Sequence, residues 1–338
     1  MRALSLLIVV PALLLAAAAP ALAQVAAPRL TPSQAGMPSR YNLVHVNALD
    51  ISSPAPSIWS TSSLSAGAAL SGDVSGPPGL SGSYTGGSAR MNLVGEYVAF
   101  SLSRMQATLD VIPPAPTAAR SFELTDTNFT LGLRFTDWLA LGVGRQTMHT
   151  GFTDTGVPDD DVRSRDLPLL GASLRFWDRF YLGVASGSDT VRIESFAGSP
   201  GTGLTDEGSR SVFRWGLAYS SQSPGLAVHA EYYVEQRKPF ALPLIFGPDT
   251  RDDAQLTGST IEVVWANVLF AYEGIDQRIT DLAGGIPTEY SSQSTRIALG
   301  WVPMGQMGLV LSRTTDRVDQ GGSIIEFNGT AMNAVWRF

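Results

Sequence analysis

The feature that most constrains this chain is a unit that repeats from Asp126 onward. In each unit, two runs of alternating apolar and polar residues flank a very short polar turn. The first unit comprises Thr127–Phe135, the turn Thr136 and Asp137, and Trp138–Phe152. Side chains of a strand point alternately to opposite faces, so each run has an apolar face and a more polar face. Longer connections rich in Asp, Gly and Pro separate the units. The pattern predicts eleven antiparallel strands, with short turns at one end and longer loops at the other.

The last alternating run, Ser323–Phe338, ends on a phenylalanine. One of its faces carries Thr330, Met332, Ala334, Trp336 and Phe338. A final strand with aromatic residues at the last and third-last positions resembles the C-terminal signal of bacterial outer-membrane barrels. The resemblance implies that Trp336 and Phe338 form an assembly signal and that the barrel-assembly machinery is a partner of this chain.

The N-terminus carries an export signal. Met1 and Arg2 precede the apolar run Leu4–Ala19, and the small-residue site Ala21–Ala23 follows it. This order is typical of a secretory signal peptide cleaved after Ala23. We therefore expect residues 1–23 to be removed, and residues 24–62, which are rich in proline and poor in alternation, to form a periplasmic or lumenal segment. The chain contains no cysteine, so it can form neither a disulfide nor a thiol nucleophile.

Composition limits the class of protein further. After residue 23 no run approaches the roughly 20 apolar residues that a membrane-spanning helix needs. Within a membrane the other structure that pairs every backbone polar group is a closed barrel of strands. The net charge of −7 argues against nucleic acid as a partner. The sequence predicts an all-β, closed antiparallel transmembrane barrel in a Gram-negative outer membrane, with its lipids and lipopolysaccharide as partners and with periplasmic turns and extracellular loops.

The number of strands depends on how Met91–Val111 folds. As a hairpin, with strands Asn92–Phe100 and Met105–Val111 and a turn at 101–104, it completes fourteen strands together with Ser63–Val74. As a single tall strand it completes twelve. The apolar positions change phase near residues 101–104, which favours the hairpin, although a β-bulge in one strand would give the same change. We therefore predict a barrel over residues 63–338 with fourteen strands, and with twelve as the alternative.

Tryptophan positions indicate how the strands are aligned. Six of the seven fall near a proposed short turn or the C-terminus: Trp138, Trp177, Trp215, Trp265, Trp301 and Trp336. Amphipathic aromatic side chains collect at the interface between membrane and water. The short turns are therefore predicted to lie at one height, within an aromatic belt.

Assigning the apolar face of each strand to lipid leaves a defined set of side chains for the lumen. The predicted lumen-lining residues are Arg134, Arg175, Arg214, His229, Glu231, Tyr233, Glu235, Arg237, Glu262, Glu273, Arg296 and Arg337. Residues of both charges could set a transverse field across a water-filled pore. They could equally pair across strands and fill a narrow barrel. Arg145 and Arg313 are charged residues at positions that the alternation assigns to the apolar face of their strands. We interpret them as lying beyond the apolar band or after a bulge.

Catalytic chemistry finds little support in this sequence. The chain has three histidines, His45, His149 and His229, and none stands in an arrangement typical of the phospholipase or protease barrels. The acidic runs Asp159–Asp161 and Asp252–Asp253 are more typical of solvated loops than of cation sites. We predict that the protein is not an enzyme and uses no metal or cofactor.

One predicted loop, Pro239–Pro248, is unusually apolar for a segment exposed to water. Its large side chains are Phe240, Leu242, Leu244, Ile245 and Phe246. Together with the possible first strand at 63–72 and with Ser53–Ala55, it resembles the outer-membrane transporters of long-chain fatty acids and aromatic hydrocarbons. That resemblance implies fourteen strands, an N-terminal hatch inside the lumen, and capture of apolar ligands by external loops.

Three functions are consistent with these observations. The polar lumen predicts a porin-like channel for passive diffusion of small solutes. The apolar loop and the possible lumenal segment predict uptake of hydrophobic compounds such as fatty acids. A lumen filled by residues 24–62 would instead indicate a structural or adhesive barrel without transport.

Overall fold

A computed structural model describes residues 63–337 of this chain apart from short connecting segments: 77–79, 95–96, 113–119, 155–156, 178, 196–203, 224–225, 242–250, 282–287, 304–305 and 321–322. The predicted signal peptide and the segment 24–62 lie outside these residues. Within the described part of the chain, no helix is long and apolar enough to cross a membrane.

Fourteen strands make up the structure. They are β1 (Ser63–Ser75), β2 (Ser81–Val94), β3 (Val98–Ile112), β4 (Arg120–Arg134), β5 (Leu139–Asp154), β6 (Val157–Phe176), β7 (Phe180–Ser195), β8 (Leu204–Ser223), β9 (Leu226–Ala241), β10 (Arg251–Trp265), β11 (Val268–Asp281), β12 (Thr288–Trp301), β13 (Met307–Gln320) and β14 (Ser323–Arg337).

The strands close into a barrel in which each strand pairs with its neighbours in sequence. Closure comes from the first and last strands, which pair antiparallel from Ser63 opposite Arg337 to Ser75 opposite Glu326, with one register shift between Ala69 and Ser71. Because the barrel is closed, it has no exposed strand edge. The prediction of fourteen strands is confirmed, and the alternative of twelve is wrong.

The predicted hairpin at Met91–Val111 is placed wrongly. Its turn was expected at 101–104, but those residues lie inside β3, and the connection is at 95–97. The apolar positions change phase because, within one regular strand, they move from outward-facing to inward-facing residues. Leu102 is 38% exposed on the outer face, whereas Met105 is fully buried on the inner face. Apolar residues thus move from the outside to the inside as the strand rises.

Several predicted loops belong to strands. Asp159–Asp161 lies within β6, and Phe240 lies within β9, where it pairs with Asp252. The outer face of these strands becomes polar well before the strand ends, so the apolar alternation that marked a strand in the sequence stops too early. The strands are accordingly taller than an apolar membrane band requires.

The outer surface has a polarity that changes with height. We call the end with the connections 95–97, 135–138, 177–179, 224–225, 266–267 and 302–306 the belt end, and the opposite end the loop end. From the belt end, β3, β5, β7, β9, β11 and β13 each begin with three outward apolar residues, as in Met307, Leu309 and Leu311. Further up, outward positions turn polar, as in Glu123 and Thr125 of β4.

Aromatic side chains surround the belt end. Trp177 is 86% exposed and Trp265 is 70% exposed beside short turns. Trp177 packs edge-on against Phe180 with ring centroids 6.0 Å apart, and Phe180 contacts Tyr219 at 5.1 Å. Exposed aromatic rings in one ring around a barrel are typical of a membrane interface.

The barrel interior contains apolar side chains along its height and charged side chains among them. A buried apolar cluster sits at the belt end and comprises Val264, Leu269, Ala271, Ala298, Val302, Val310 and Val335. Toward the loop end, further apolar side chains are buried on inward positions: Met105, Leu124, Met148, Leu256, Ile275, Val318 and Phe327. Charged side chains lie between and among them. The loop-end half therefore buries apolar and charged side chains together and is polar on its outer face.

One close contact shows how tightly the interior is packed. Tyr233 of β9 is fully buried and faces Gly258 of β10 in the register. A Cβ atom added at Gly258 would lie 2.0 Å from Cζ of Tyr233, so the aromatic ring occupies the space that a side chain would need. Glycine is required here by close approach of a neighbouring side chain.

We expect Gly258→Ala to destabilise the barrel by about 1–3 kcal/mol, because the ring of Tyr233 must move out of a packed interior. The measurement is urea unfolding in detergent micelles, followed by tryptophan fluorescence. Gly151→Ala is the control, because a Cβ atom there meets nothing within 4 Å. In a Tyr233→Leu background the cost of Gly258→Ala should shrink; an undiminished cost would show that another contact causes it.

Candidate functional site

Ionic side chains of neighbouring strands meet inside the barrel on the β6–β8 side. The carboxylate of Asp189 accepts a hydrogen bond from Nε of Arg165 at 2.5 Å and another from Nε of Arg210 at 3.0 Å. The side chains of all three residues are almost completely buried. Each guanidinium therefore has a carboxylate partner in a region of low dielectric constant, as buried charges require.

A second group joins β8 to β9. Glu235 is fully buried and accepts hydrogen bonds from Nε of Arg214 and from Nε of Arg237, the latter at 2.5 Å to Oε1. Glu235 and Arg214 face one another in the register of the two strands. One carboxylate thus holds two arginines in fixed positions.

The network also crosses the lumen. Nη2 of Arg214 in β8 donates a hydrogen bond to Oε1 of Gln146 in β5 at 3.3 Å, although β6 and β7 separate these strands along the wall. Nε2 of Gln146 lies 3.4 and 3.5 Å from the carboxylate oxygens of Asp126 in β4. These side chains bridge the part of the interior that lies in front of β6 and β7.

A different set of charges lines the β9–β12 side. Glu231, Thr260, Glu273 and Arg296 occupy one row of the register on four successive strands, and all four are buried. Glu262 of β10 is buried one step nearer the belt end. The row is therefore rich in carboxylates and has a single arginine.

The two sides differ in formal charge. The β4–β9 group combines four arginines with the three carboxylates of Asp126, Asp189 and Glu235, giving +1. The β9–β12 group combines Arg296 with the three carboxylates of Glu231, Glu262 and Glu273, giving −2. The two groups occupy adjacent arcs of the wall that meet at β9, so the formal charge changes sign around the circumference of the lumen.

The structure places the predicted lumen residues as follows. Eight are buried on inward positions: Arg214, Glu231, Tyr233, Glu235, Arg237, Glu262, Glu273 and Arg296. Arg134 and Arg175 are half-buried near the belt end. For His229 and Arg337 only the register is described, opposite Glu262 and Ser63. Trp336 is 42% exposed on the outer face. Leu242, Leu244, Ile245, Phe246 and Phe338 lie outside the described residues.

Sequence reasoning missed part of the ionic network. Arg165, Asp189 and Arg210 lie on parts of β6, β7 and β8 where the outer face is already polar. Arg165 shares the inward parity of Ser173 and Arg175, so extending the same alternation beyond the apolar run would have identified it. Arg145 and Arg313 face outward, as the alternation of their strands requires, and both strands continue in register. The change at these positions is therefore one of residue polarity on the outer face.

A metal centre finds no support in the described ranges, which hold no group of three or more His, Cys, Asp or Glu side chains able to bind an ion. The side chains of Asp159–Asp161 and Asp252–Asp253 are not among those described. What the interior offers chemically is paired charge and apolar surface.

Comparisons with known proteins concern the fold. The barrel is similar to the CymD monoaromatic hydrocarbon channel, with 11% identity, 82% of this chain and 88% of that chain covered, and a TM-score of 0.51. It is similar to the deltaS2 mutant of the TodX monoaromatic hydrocarbon channel, with 10% identity, coverage of 86% and 93%, and a TM-score of 0.50. A FadL homologue of Pseudomonas aeruginosa matches at 11% identity over 94% and 100%, with a TM-score of 0.49.

At these identities the likeness establishes a shared barrel architecture. The fold that the sequence resemblance implied is thereby confirmed. No protein-family model matches the chain, and no curated protein matches it.

We expect Glu235→Gln to lower the free energy of unfolding by about 3 kcal/mol, because it removes the carboxylate charge that faces two buried guanidinium groups. The matched control is Asp166→Asn, which removes one carboxylate from the exposed outer pair with Arg145 and should leave stability unchanged. Urea unfolding in detergent micelles measures both variants. Equal effects would mean that water screens the lumenal pair as strongly as the exposed one.

Proposed function

We propose that this protein is an outer-membrane channel for passive uptake of small hydrophobic molecules. The observation that carries the proposal is the apolar lining toward the loop end, where Leu124, Met148, Leu256 and Phe327 are buried on inward positions. A pore for polar solutes gains nothing from such a lining, whereas an apolar solute leaves water favourably against it. Two solved barrels with the same architecture are monoaromatic hydrocarbon channels, which supports the proposal.

The proposed orientation places the loop end outside the cell. The longer connections lie at that end, and the polar outer faces of the strands above the apolar band suit contact with water. The apolar segment Phe240–Phe246 belongs to the same end, because β9 leads to it. A hydrophobic molecule would enter there and would be held by the apolar lining before moving deeper. Entry from the loop end requires no energy source, since partition supplies the driving force.

The ionic groups lie beside part of this lining, since Met148 faces Arg165 and Leu256 faces Glu235 in the register. The pairs on Asp189 and Glu235 are buried, and breaking one is costly. The link that crosses the lumen is weaker: Arg214 and Gln146 meet through a single hydrogen bond at the tips of two long side chains. Such a bond to a charged group contributes about 1.5–3 kcal/mol. Opening it would let an apolar solute pass without dismantling the charged walls.

A porin-like channel is the second candidate. It is favoured by the opposite formal charges on the two sides of the lumen, which could orient and sort small ions. The two functions differ in a simple measurement, because a porin conducts ions in planar bilayers and a hydrophobic channel with a bridged lumen does not. Steady conductance that responds to Glu231→Gln or Arg296→Gln would favour the porin.

We expect cells that contain the protein to take up a labelled alkylbenzene or fatty acid faster than cells without it. Leu124→Asn should reduce that rate by about threefold to tenfold, because apolar contact at the mouth is lost. Thr125→Asn is the control, since the next residue on the same strand faces outward and should not alter uptake.

The uptake experiment also tests the remaining alternative. Assembly of each variant is checked by its urea unfolding midpoint, so a misfolded barrel is recognised. Equal uptake with and without the protein, together with a silent bilayer, would contradict both transport functions and leave a structural barrel.

A further inference from the structure

A short polar side chain lies at the centre of the carboxylate-rich arc of the lumen. Thr260 of β10 faces Glu231 of β9 on one side and Glu273 of β11 on the other. Glu262 follows two residues later on the same face of β10, because the side chains of a strand alternate. All four residues are buried. We call Thr260 and the three carboxylates around it the acidic site.

The spacing of these residues follows from the pairing of the strands. Side chains directly opposite each other in an antiparallel pair have Cβ atoms about 5 Å apart. Residues two apart on one strand are separated by about 7 Å. Because a glutamate side chain is longer than a threonine side chain, the three carboxylates can reach a group that is bound above the hydroxyl of Thr260.

The hydroxyl group of Thr260 points to such a bound group. Thr260 is 3% exposed, and its Oγ1 has no hydrogen-bond partner among the residues that the structure describes. Buried hydroxyl groups are nearly always hydrogen-bonded, because an unpaired polar atom away from water is unfavourable. The partner of this oxygen is therefore supplied from outside the described residues.

The acceptors of the acidic site select the chemistry of the ligand. A hydroxyl oxygen and carboxylates accept hydrogen bonds, so a ligand that satisfies them must donate several. A primary ammonium group has three N–H donors and one positive charge, which matches one hydroxyl and two carboxylates. A metal ion matches less well, because the described ranges hold no group of three or more acidic or histidine side chains able to bind one.

Apolar side chains lie directly beside these acceptors. Gly258 precedes Thr260 by two residues on the same face of β10, and the ring of Tyr233 occupies the space next to it. Ile275 of β11 faces Gly258 in the register and is buried. Tyr233 and Ile275 thus offer apolar contact on the loop-end side of the carboxylates. A ligand that joins an ammonium group to a small apolar body would contact both surfaces.

We propose that the acidic site binds the ammonium group of a small arylalkylamine. The ammonium donates hydrogen bonds to Oγ1 of Thr260 and to the carboxylates beside it, while the aromatic body packs against Tyr233 and Ile275. This inference rests on the proposed function, because it names one class of apolar solute that the lumen holds. The β4–β9 group carries more guanidinium than carboxylate charge, so the amine is expected on the β9–β12 side.

The test measures binding to the full barrel in detergent micelles by fluorine NMR, with empty micelles as the reference. The probe is a ring-fluorinated phenylethylamine. Three comparison compounds carry the same ring: an ethylbenzene without charge, a phenylpropionate with a negative charge, and the trimethylammonium derivative, which keeps the positive charge but has no N–H donor. We expect the primary amine to bind at least about tenfold more tightly than each of the three.

Variants of the acidic site test the role of each group. Thr260→Val removes the hydroxyl group and should weaken amine binding by about tenfold, whereas Thr260→Ser should retain most of it. Glu231→Gln should weaken binding by a similar factor, because it removes a charge that the ligand contacts. Thr257→Val is the matched control, since Thr257 lies on the outer face of the same strand. The urea unfolding midpoint of each variant shows whether the barrel is intact.

Several outcomes would overturn the inference. One is equal amine binding by Thr260→Val and the unmodified protein, with equal unfolding midpoints. Another is equally tight binding of the trimethylammonium compound or of the ethylbenzene, since neither has an N–H donor. Faster uptake of an alkylbenzene without amine binding would contradict this inference and leave the proposed function standing. Amine binding without faster uptake would support the acidic site and contradict the proposed function.

Discussion

The structure depends on closure of the barrel through the pairing of β1 with β14. Without that ladder, two strands would each leave a row of backbone donors and acceptors unpaired, and in a membrane each unpaired group costs several kcal/mol. Closure also fixes the side-chain geometry, because every residue of a closed sheet must face either outward or inward. Pairing of Leu64 with Trp336 and of Val74 with Phe327 sets this parity on both sides of a register shift. The outer band and the lumen follow from it.

The second organising feature is the change of the outer face from apolar to polar along the barrel axis. Near the belt end the barrel is apolar outside, and toward the loop end it buries residues such as Leu124 and Phe327 inside while Glu123 faces out. One continuous sheet thus presents an apolar outer face near the belt end and a polar outer face toward the loop end. The apolar residues buried toward the loop end support the proposed function, because they provide a lining for an apolar solute.

Buried ion pairs give the interior a specific arrangement. Asp189 and Glu235 each hold two arginines, and Arg214 extends across to Gln146. Such pairs contribute little net stability compared with apolar packing, but leaving one charge unpaired is costly. They therefore favour one packing of the lumen over alternatives. The packing of Tyr233 against Gly258 also favours one arrangement of the lumen, because the aromatic ring fills the space that a side chain at position 258 would need.

The sequence by itself determined the fold class and much of the site, because side-chain alternation is a local property that needs no knowledge of neighbouring strands. Runs such as Thr127–Phe135 showed which face is apolar, and the same parity identified inward residues such as Arg214 and Glu235. Only the tertiary structure decided the register, which places Glu235 opposite Arg214 and brings Gln146 within reach across the lumen. It also showed that β3 is one strand and that β6 begins at Val157. The physical reason is that backbone pairing continues where the outer face turns polar, whereas the apolar alternation that reveals a strand in the sequence ends there.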